Sequence, residues 1–230
     1  MCRRADGWLK SVTGSKNMFD RALNSALQRP LQRLAARLIA LGLHAEQVTW
    51  GGFLLGLSAI PLIALGHSRW AIVCVVLNRL ADGLDGAMAR QTRPTDRGAF
   101  LDISLDFLFY AAIPLAFALA DPTHNGLPAA VLIYSFIGTG CTFLAFAVLA
   151  AKRGDSSTAY PNKGFYYLGG LTESTETIAV FVLMCLVPAW FGVLAYGFAG
   201  LCALTTVTRI SAGIQLFKPT PSKRGRPGQP

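Results

Sequence analysis

The chain has 230 residues, of which 53% are hydrophobic and 14% charged, with a mean hydropathy of +0.44 and a formal charge of +9. A soluble domain of average make-up carries about a quarter charged residues, so this composition excludes an ordinary water-soluble globule and points to a membrane protein. The basic excess is clustered rather than spread, which favours cytoplasmic anchoring and anionic headgroups over nucleic acid as its partner.

The N-terminus lacks the short apolar core of a signal peptide, so no cleavage is expected. The first predicted element is an amphipathic helix over about 24–42. Leu27, Leu31, Leu34, Leu38 and Leu41 recur at spacings of three and four and form one stripe, while Arg29, Arg33 and Arg37 occupy another face. Such a helix suits the membrane interface, with arginines toward phosphates. The alternative is a solvated helix packed on protein alone.

Six apolar segments follow, over about 46–66, 69–90, 96–120, 127–151, 172–188 and 190–216. Each is read as a spanning helix, which needs about 20 mostly apolar residues. Turn-forming stretches separate them: GHS at 66–68, RPT at 93–95, DPTHNG at 121–126 and PAW at 188–190. Lys and Arg alternate in the same rhythm. Eight precede the first span, and further groups fall in the second and fourth connections and the tail, while the third and fifth connections have none. That pattern predicts six spans with both termini cytoplasmic. Arg79 and Arg209 are exceptions that fall inside spans. The tail, 218–230, is rich in Pro, Gly and basic residues and is expected to be disordered, touching anionic lipid. The fold expected is all-α and integral to the membrane, with one domain over 1–217.

The five cysteines form no CxxC pair and suit small buried hydrophobes. The chemistry concentrates in DGLDGAMARQTRPTDRGAFLDISLD, residues 82–106, where Asp82, Asp85, Asp102 and Asp106 break an apolar background. An aspartate at a helix centre costs about 3 kcal/mol, so four facing lipid would cost on the order of 10 kcal/mol. They must face a polar cavity, a cation, or both. Asp82, Asp85, Gly86 and Ala89 share one face of a helix, and Gly98, Asp102 and Asp106 share one face of the next. A short turn makes the two antiparallel neighbours, so the faces can meet near the cytoplasmic end. Oxygen-only ligands favour Mg²⁺ or Mn²⁺, and two such ions could bridge the carboxylates. Gly86 and Gly98 are read as space for a ligand beside those carboxylates, although close helix packing would also explain either one alone.

Asp82-x2-Asp85-Gly86-x2-Ala89-Arg90 … Gly98-x3-Asp102-x3-Asp106 resembles the motif of the CDP-alcohol phosphotransferases, integral membrane enzymes of phospholipid biosynthesis. The family pattern usually has eight residues between the arginine and the second glycine. This chain has seven, Gln91 to Arg97, which puts the shape of the nucleotide pocket in question. The resemblance implies that Asp82, Asp85 and Asp102 hold two divalent metals, joined or flanked by Asp106. It implies that Asp106 is the general base. Gly86, Ala89 and Gly98 would make room for cytidine, and Arg90 would steady the diphosphate.

The implied donor is CDP-diacylglycerol, the acceptor a small alcohol and the product CMP. Acceptors in the family include glycerol 3-phosphate, inositol, inositol phosphate and serine, with glycerol 3-phosphate placed first on commonness. Arg209, Lys152 and Arg153 are candidate cations for a phosphate-bearing acceptor, although Lys152 and Arg153 also suit positive-inside anchors. Members often pair through transmembrane helices, so a homodimer in a bacterial inner membrane is an expectation. Three other readings compete: an ion or proton transporter with a carboxylate relay, a prenyltransferase with paired aspartates, and a binding-only member. The first two do not call for glycine and Ala-Arg at these fixed offsets.

Overall fold

The computed structural model describes residues 29–152, 172 and 174–217. The N-terminal 28 residues, most of the fourth connection and the basic tail lie outside them. The described residues are all-helical: α1 (29–40), α2 (Ala45–Leu57), α3 (Ala59–Ala64), α4 (Ser68–Gln91), α5 (Asp96–Ala120), α6 (Pro122–Lys152), α7 (Ser174–Leu186) and α8 (Phe191–Leu216). A 3₁₀ turn, Pro188–Trp190, leads into α8.

These helices match the six predicted segments closely. Among the described residues, four stretches are long and apolar enough to cross a membrane: Ala45–Ala64, Asp96–Ala120, Pro122–Lys152 and Pro188–Leu216. α4 carries its aspartates and arginines instead of a clean apolar run. α7 has 13 described residues, about 20 Å of helix at 1.5 Å per residue. The first predicted span is interrupted. Ser58 breaks it into α2 and α3, its Oγ donating to the Leu55 carbonyl at 2.5 Å. Gly66 closes α3 at φ +81°, with the His67 N–H bonded to the Leu62 carbonyl at 2.7 Å. This is a left-handed C-terminal cap that glycine makes without strain.

One predicted boundary moves. α6 begins at Pro122, five residues before the expected 127. Asp121 caps it, accepting the His124 N–H at 3.1 Å, and Pro122 takes the first helical position, where a missing N–H costs nothing. The His124 backbone and ring hydrogen bonds hold the exposed Asp121 carboxyl below the usual carboxylate range.

The described residues divide into two compact units, one formed by 29–62 and His67–Phe109, the other by Ile63–Gly66 and those from Tyr110 onward. In the first unit α2 packs on α4 through small residues. Gly52 and Gly56 are buried while Leu54 and Leu55 are exposed. This inversion, small inside and large apolar outside, is what a helix needs when hydrocarbon surrounds it. A Cβ on Gly52 would collide with the Ala81 side chain, and one on Gly56 would meet the Phe109 ring at 2.9 Å. Asn78 fixes the same contact by donating to the Gly52 carbonyl at 3.1 Å. Gly52→Ala is therefore expected to lose about 1–3 kcal/mol to overpacking, seen as a lower melting temperature in detergent. An unchanged melting temperature would mean that α2 and α4 are not held this close.

α1 packs against α4. Leu31, Leu38 and Ile39 lie on a core of Ala35, Ala87 and Met88, and Gln91 Nε2 donates to the Gln32 carbonyl at 2.9 Å. Leu34, Leu41 and the three arginines of the predicted polar face stay exposed. Part of the leucine stripe thus packs on protein and part faces outward.

In the second unit α6 pairs with α8 around aromatic rings. Phe117 stacks on Phe191 at 4.5 Å, and Phe136 meets Phe181 and Phe198 edge-on. Buried Thr139, Thr177 and Thr205 supply the polar minority.

Candidate active site

The end of α4 and the start of α5 are built to place carboxylates. Thr92 closes α4, its Oγ1 donating to the Met88 carbonyl at 3.0 Å. Pro94 follows, where a helix cannot continue. Thr95 then caps α5, accepting the Gly98 N–H on its Oγ1 at 3.0 Å. Asp82 and Asp85 lie on the last turns of α4, and Asp102 and Asp106 on the first turns of α5.

Carboxylate oxygens of Asp82, Asp85 and Asp102 lie within 4.8 Å of one another. Asp85 is the most enclosed, 6% exposed; Asp82 is half-buried and Asp102 exposed. Asp106 lines a small inner cavity with all three and with Thr49. Three carboxylates at this separation repel one another unless a cation lies among them. An all-oxygen donor set suits a hard divalent ion, so the residues fit the predicted metal.

A cleft of about 790 Å³ opens over the trio. Gly86, Ala89, Arg90 and Gly98, all singled out in the sequence, line it beside Asp82, Asp85 and Asp102. The Arg90 guanidinium lies across Gly86, where an added Cβ would come within 3.3 Å of it. At Gly98 a Cβ would come within 3.1 Å of the Thr95 hydroxyl, so that glycine also protects the α5 cap.

Four contributors were not read from the sequence. Thr49 Oγ1 donates to Asp85 Oδ2 at 2.5 Å, orienting the buried carboxylate. Arg79 pairs with Asp82 one turn away on α4. Glu46 accepts from Arg97 Nε at 3.1 Å and from Thr95 Oγ1 at 3.4 Å, tying the start of α2 to the start of α5. Asn78 lines the inner cavity. The available signal was polarity inside apolar spans, which Thr49, Asn78 and Arg79 all share. The short turn 91–97 is thus held from two sides, by α1 through Gln91 and by α2 through Glu46.

Arg209 belongs to the second unit, where its Nη1 donates to the Thr139 carbonyl at 3.1 Å and its guanidinium lies 5.9 Å from the Phe143 ring centre. Lys152 ends α6 exposed, and Arg153 falls outside the described residues.

Comparison with known proteins gives the site its context. The chain is 50% identical over 201 residues to inner membrane protein YnjF of Escherichia coli, covering 87% of this chain and 98% of that one. It is 31% identical over 203 residues to a phosphatidylinositol phosphate synthase of Streptomyces avermitilis, covering 85% of this chain and 73% of that one. Its fold is similar to the crystal structure of Mycobacterium tuberculosis phosphatidylinositol phosphate synthase (PgsA1) with CDP-DAG bound, with a TM-score of 0.62 at 22% identity over 87% of this chain and all of that one. The same enzyme in complex with manganese and citrate gives a TM-score of 0.61 at 23% identity, covering 86% of this chain and 93% of that one. The family model for CDP-alcohol phosphatidyltransferase matches residues 43–210, a stretch that holds every motif residue and the whole of the cleft. The chain belongs to the CDP-alcohol phosphatidyltransferase family, enzymes that transfer phosphatidyl groups.

Proposed function

We propose that the protein transfers the phosphatidyl group of CDP-diacylglycerol to a phosphorylated polyol and releases CMP. The observation that carries this reading is the trio of carboxylates within 4.8 Å beneath a cleft wide enough for a nucleotide. Asp82, Asp85 and Asp102 hold the divalent cations, Mg²⁺ or Mn²⁺ and two in number. Ions held there would supply the positive charge that neutralises the diphosphate and the leaving CMP. Asp106 takes the proton from the acceptor hydroxyl. That oxygen attacks the phosphorus bearing diacylglycerol, a new P–O bond forms, and the P–O bond to the CMP phosphate breaks. Gly86, Ala89 and Gly98 leave backbone open to the nucleotide, and Arg90 faces the diphosphate.

The acceptor is proposed as inositol phosphate or glycerol 3-phosphate. Two relatives named as inositol phosphate lipid synthases support the first: the Streptomyces enzyme and an archaetidylinositol phosphate synthase of Pyrococcus horikoshii, 32% identical over 112 residues, 48% of this chain and 60% of that one. Arg209, Lys152 and Arg153 remain the proposed phosphate contacts, in a single membrane domain over 1–217 with both termini and the cleft cytoplasmic. α1 lies along the interface, α4 and α7 complete six spans, and two copies pair in the membrane.

Purified protein with Mn²⁺, labelled CDP-diacylglycerol and a panel of glycerol 3-phosphate, inositol phosphate, inositol and serine tests this. CMP release is expected with one phosphorylated acceptor only. Release with serine or inositol alone would overturn the acceptor class, and no release with any, equal to Asp106→Asn, would overturn the transferase reading.

A further inference from the structure

Arg79, like Arg209, is an in-span cation that the motif does not absorb. It sits on α4 one turn before Asp82, deeper in the apolar part of the helix than any motif residue, between the exposed Leu77 and Leu80. An arginine there is expensive unless it finds an anion. It finds Asp82: Nη1 pairs with Oδ2, and the two side chains are 37% and 18% exposed. Arg79 also lines the cleft beside the carboxylate trio. Two other basic groups near the mouth are engaged differently, Arg90 across Gly86 and Arg97 on Glu46.

We propose that Arg79 is a resident counter-cation and positioning residue for Asp82, competing with a divalent ion for that carboxylate and setting how tightly the site holds metal. The inference rests on the metal-site reading above. With no divalent ion, the guanidinium offsets part of the repulsion among Asp82, Asp85 and Asp102. An entering cation must displace that charge from Oδ2 or share it. The carboxylate is thereby kept ordered and paired, and metal retention is kept weaker than the bare cluster would give. The displaced guanidinium still faces the cleft, where an anionic donor would meet it.

The two possible roles of such an ion pair predict opposite signs. A guanidinium that only orients Asp82 strengthens metal binding, so its loss weakens it. A competing one weakens metal binding, so its loss strengthens it. The full chain in detergent is titrated with Mn²⁺ alone, and free Mn²⁺ is read by electron paramagnetic resonance. Arg79→Gln is expected to bind Mn²⁺ about fivefold tighter than wild type, on the scale of a half-exposed ion pair. It should melt at a lower temperature in chelator and gain more from Mn²⁺. Arg79→Lys keeps the charge and is expected to return affinity toward wild type, which guards against a folding defect in the glutamine variant. Equal or weaker Mn²⁺ binding by Arg79→Gln, with wild type binding normally, overturns the competition while leaving the metal site standing. Absence of Mn²⁺ binding by wild type overturns both.

Discussion

Replacing Asp106 with Asn is expected to lower kcat by about 10²–10⁴-fold, the usual worth of a positioned general base, while Mn²⁺ affinity falls by no more than about 10–100-fold, the usual cost of losing a group that flanks metal ligands. Asp82, Asp85 and Asp102 form the close trio, and Asp106 lines the inner cavity with them. Asparagine keeps the shape and can still hydrogen-bond, but it cannot take the proton from an acceptor hydroxyl. The check pairs a CMP-release assay with the Mn²⁺ titration. If affinity collapses together with turnover, Asp106 is a ligand first, and the base must be sought elsewhere. A pH profile adds a second readout. The wild-type rate should fall on the acid side as the base is protonated, and the residual rate of Asp106→Asn should lose that limb.

The elements and the motif were legible because each leaves a mark in one dimension. Apolar runs near 20 residues, punctuated by GHS, RPT and PAW, place helix ends within a few residues. Aspartates at three- and four-residue offsets fix which face of each helix carries them. The start of α6 was misplaced at 127 because DPTHNG contains the same residues whether it loops or caps, and only the hydrogen bond from His124 to Asp121 decides between them. The inverted packing of α2 was also hidden. Gly52 and Gly56 sit among leucines that look like the natural core, yet in a membrane helix the leucines face outward and the glycines face inward.

The polar partners of the site were harder still, because they come from different helices. Nothing in the sequence says that Thr49 lies opposite Asp85, 36 positions away, or that Glu46 reaches the α5 cap. Arg79 was visible as an anomaly without a partner. Its pairing to Asp82 needs the side-chain direction as well as the three-residue spacing. Local chemistry was therefore readable and cross-helix chemistry was not.

Neutralising Asp85 is expected to separate stability from function. Asp85 is 6% exposed and receives the Thr49 hydroxyl at 2.5 Å. Without a cation it is a buried negative charge beside two others, and such an arrangement costs free energy through desolvation and repulsion. Asp85→Asn keeps the volume and can keep the Thr49 contact, with that hydroxyl donating to the amide oxygen. It removes one charge from the trio, so the metal-free protein should melt at a higher temperature than wild type. Mn²⁺ stabilises wild type by binding the folded state, and that gain should vanish in the variant. Turnover should fall about 10³-fold or more, since charge neutralisation by a bound metal is worth several kcal/mol at the transition state. The measurement is a pair of thermal melts, in chelator and in saturating Mn²⁺, set beside CMP release. A variant that melts lower in chelator would mean that the carboxylates are not in repulsion, and one that keeps its Mn²⁺ shift would remove Asp85 from the metal site. The opposite movement of the two quantities has a single physical source. The charge that makes the empty site costly to fold is the charge that holds the cations against the diphosphate, so any substitution that relaxes the first surrenders the second.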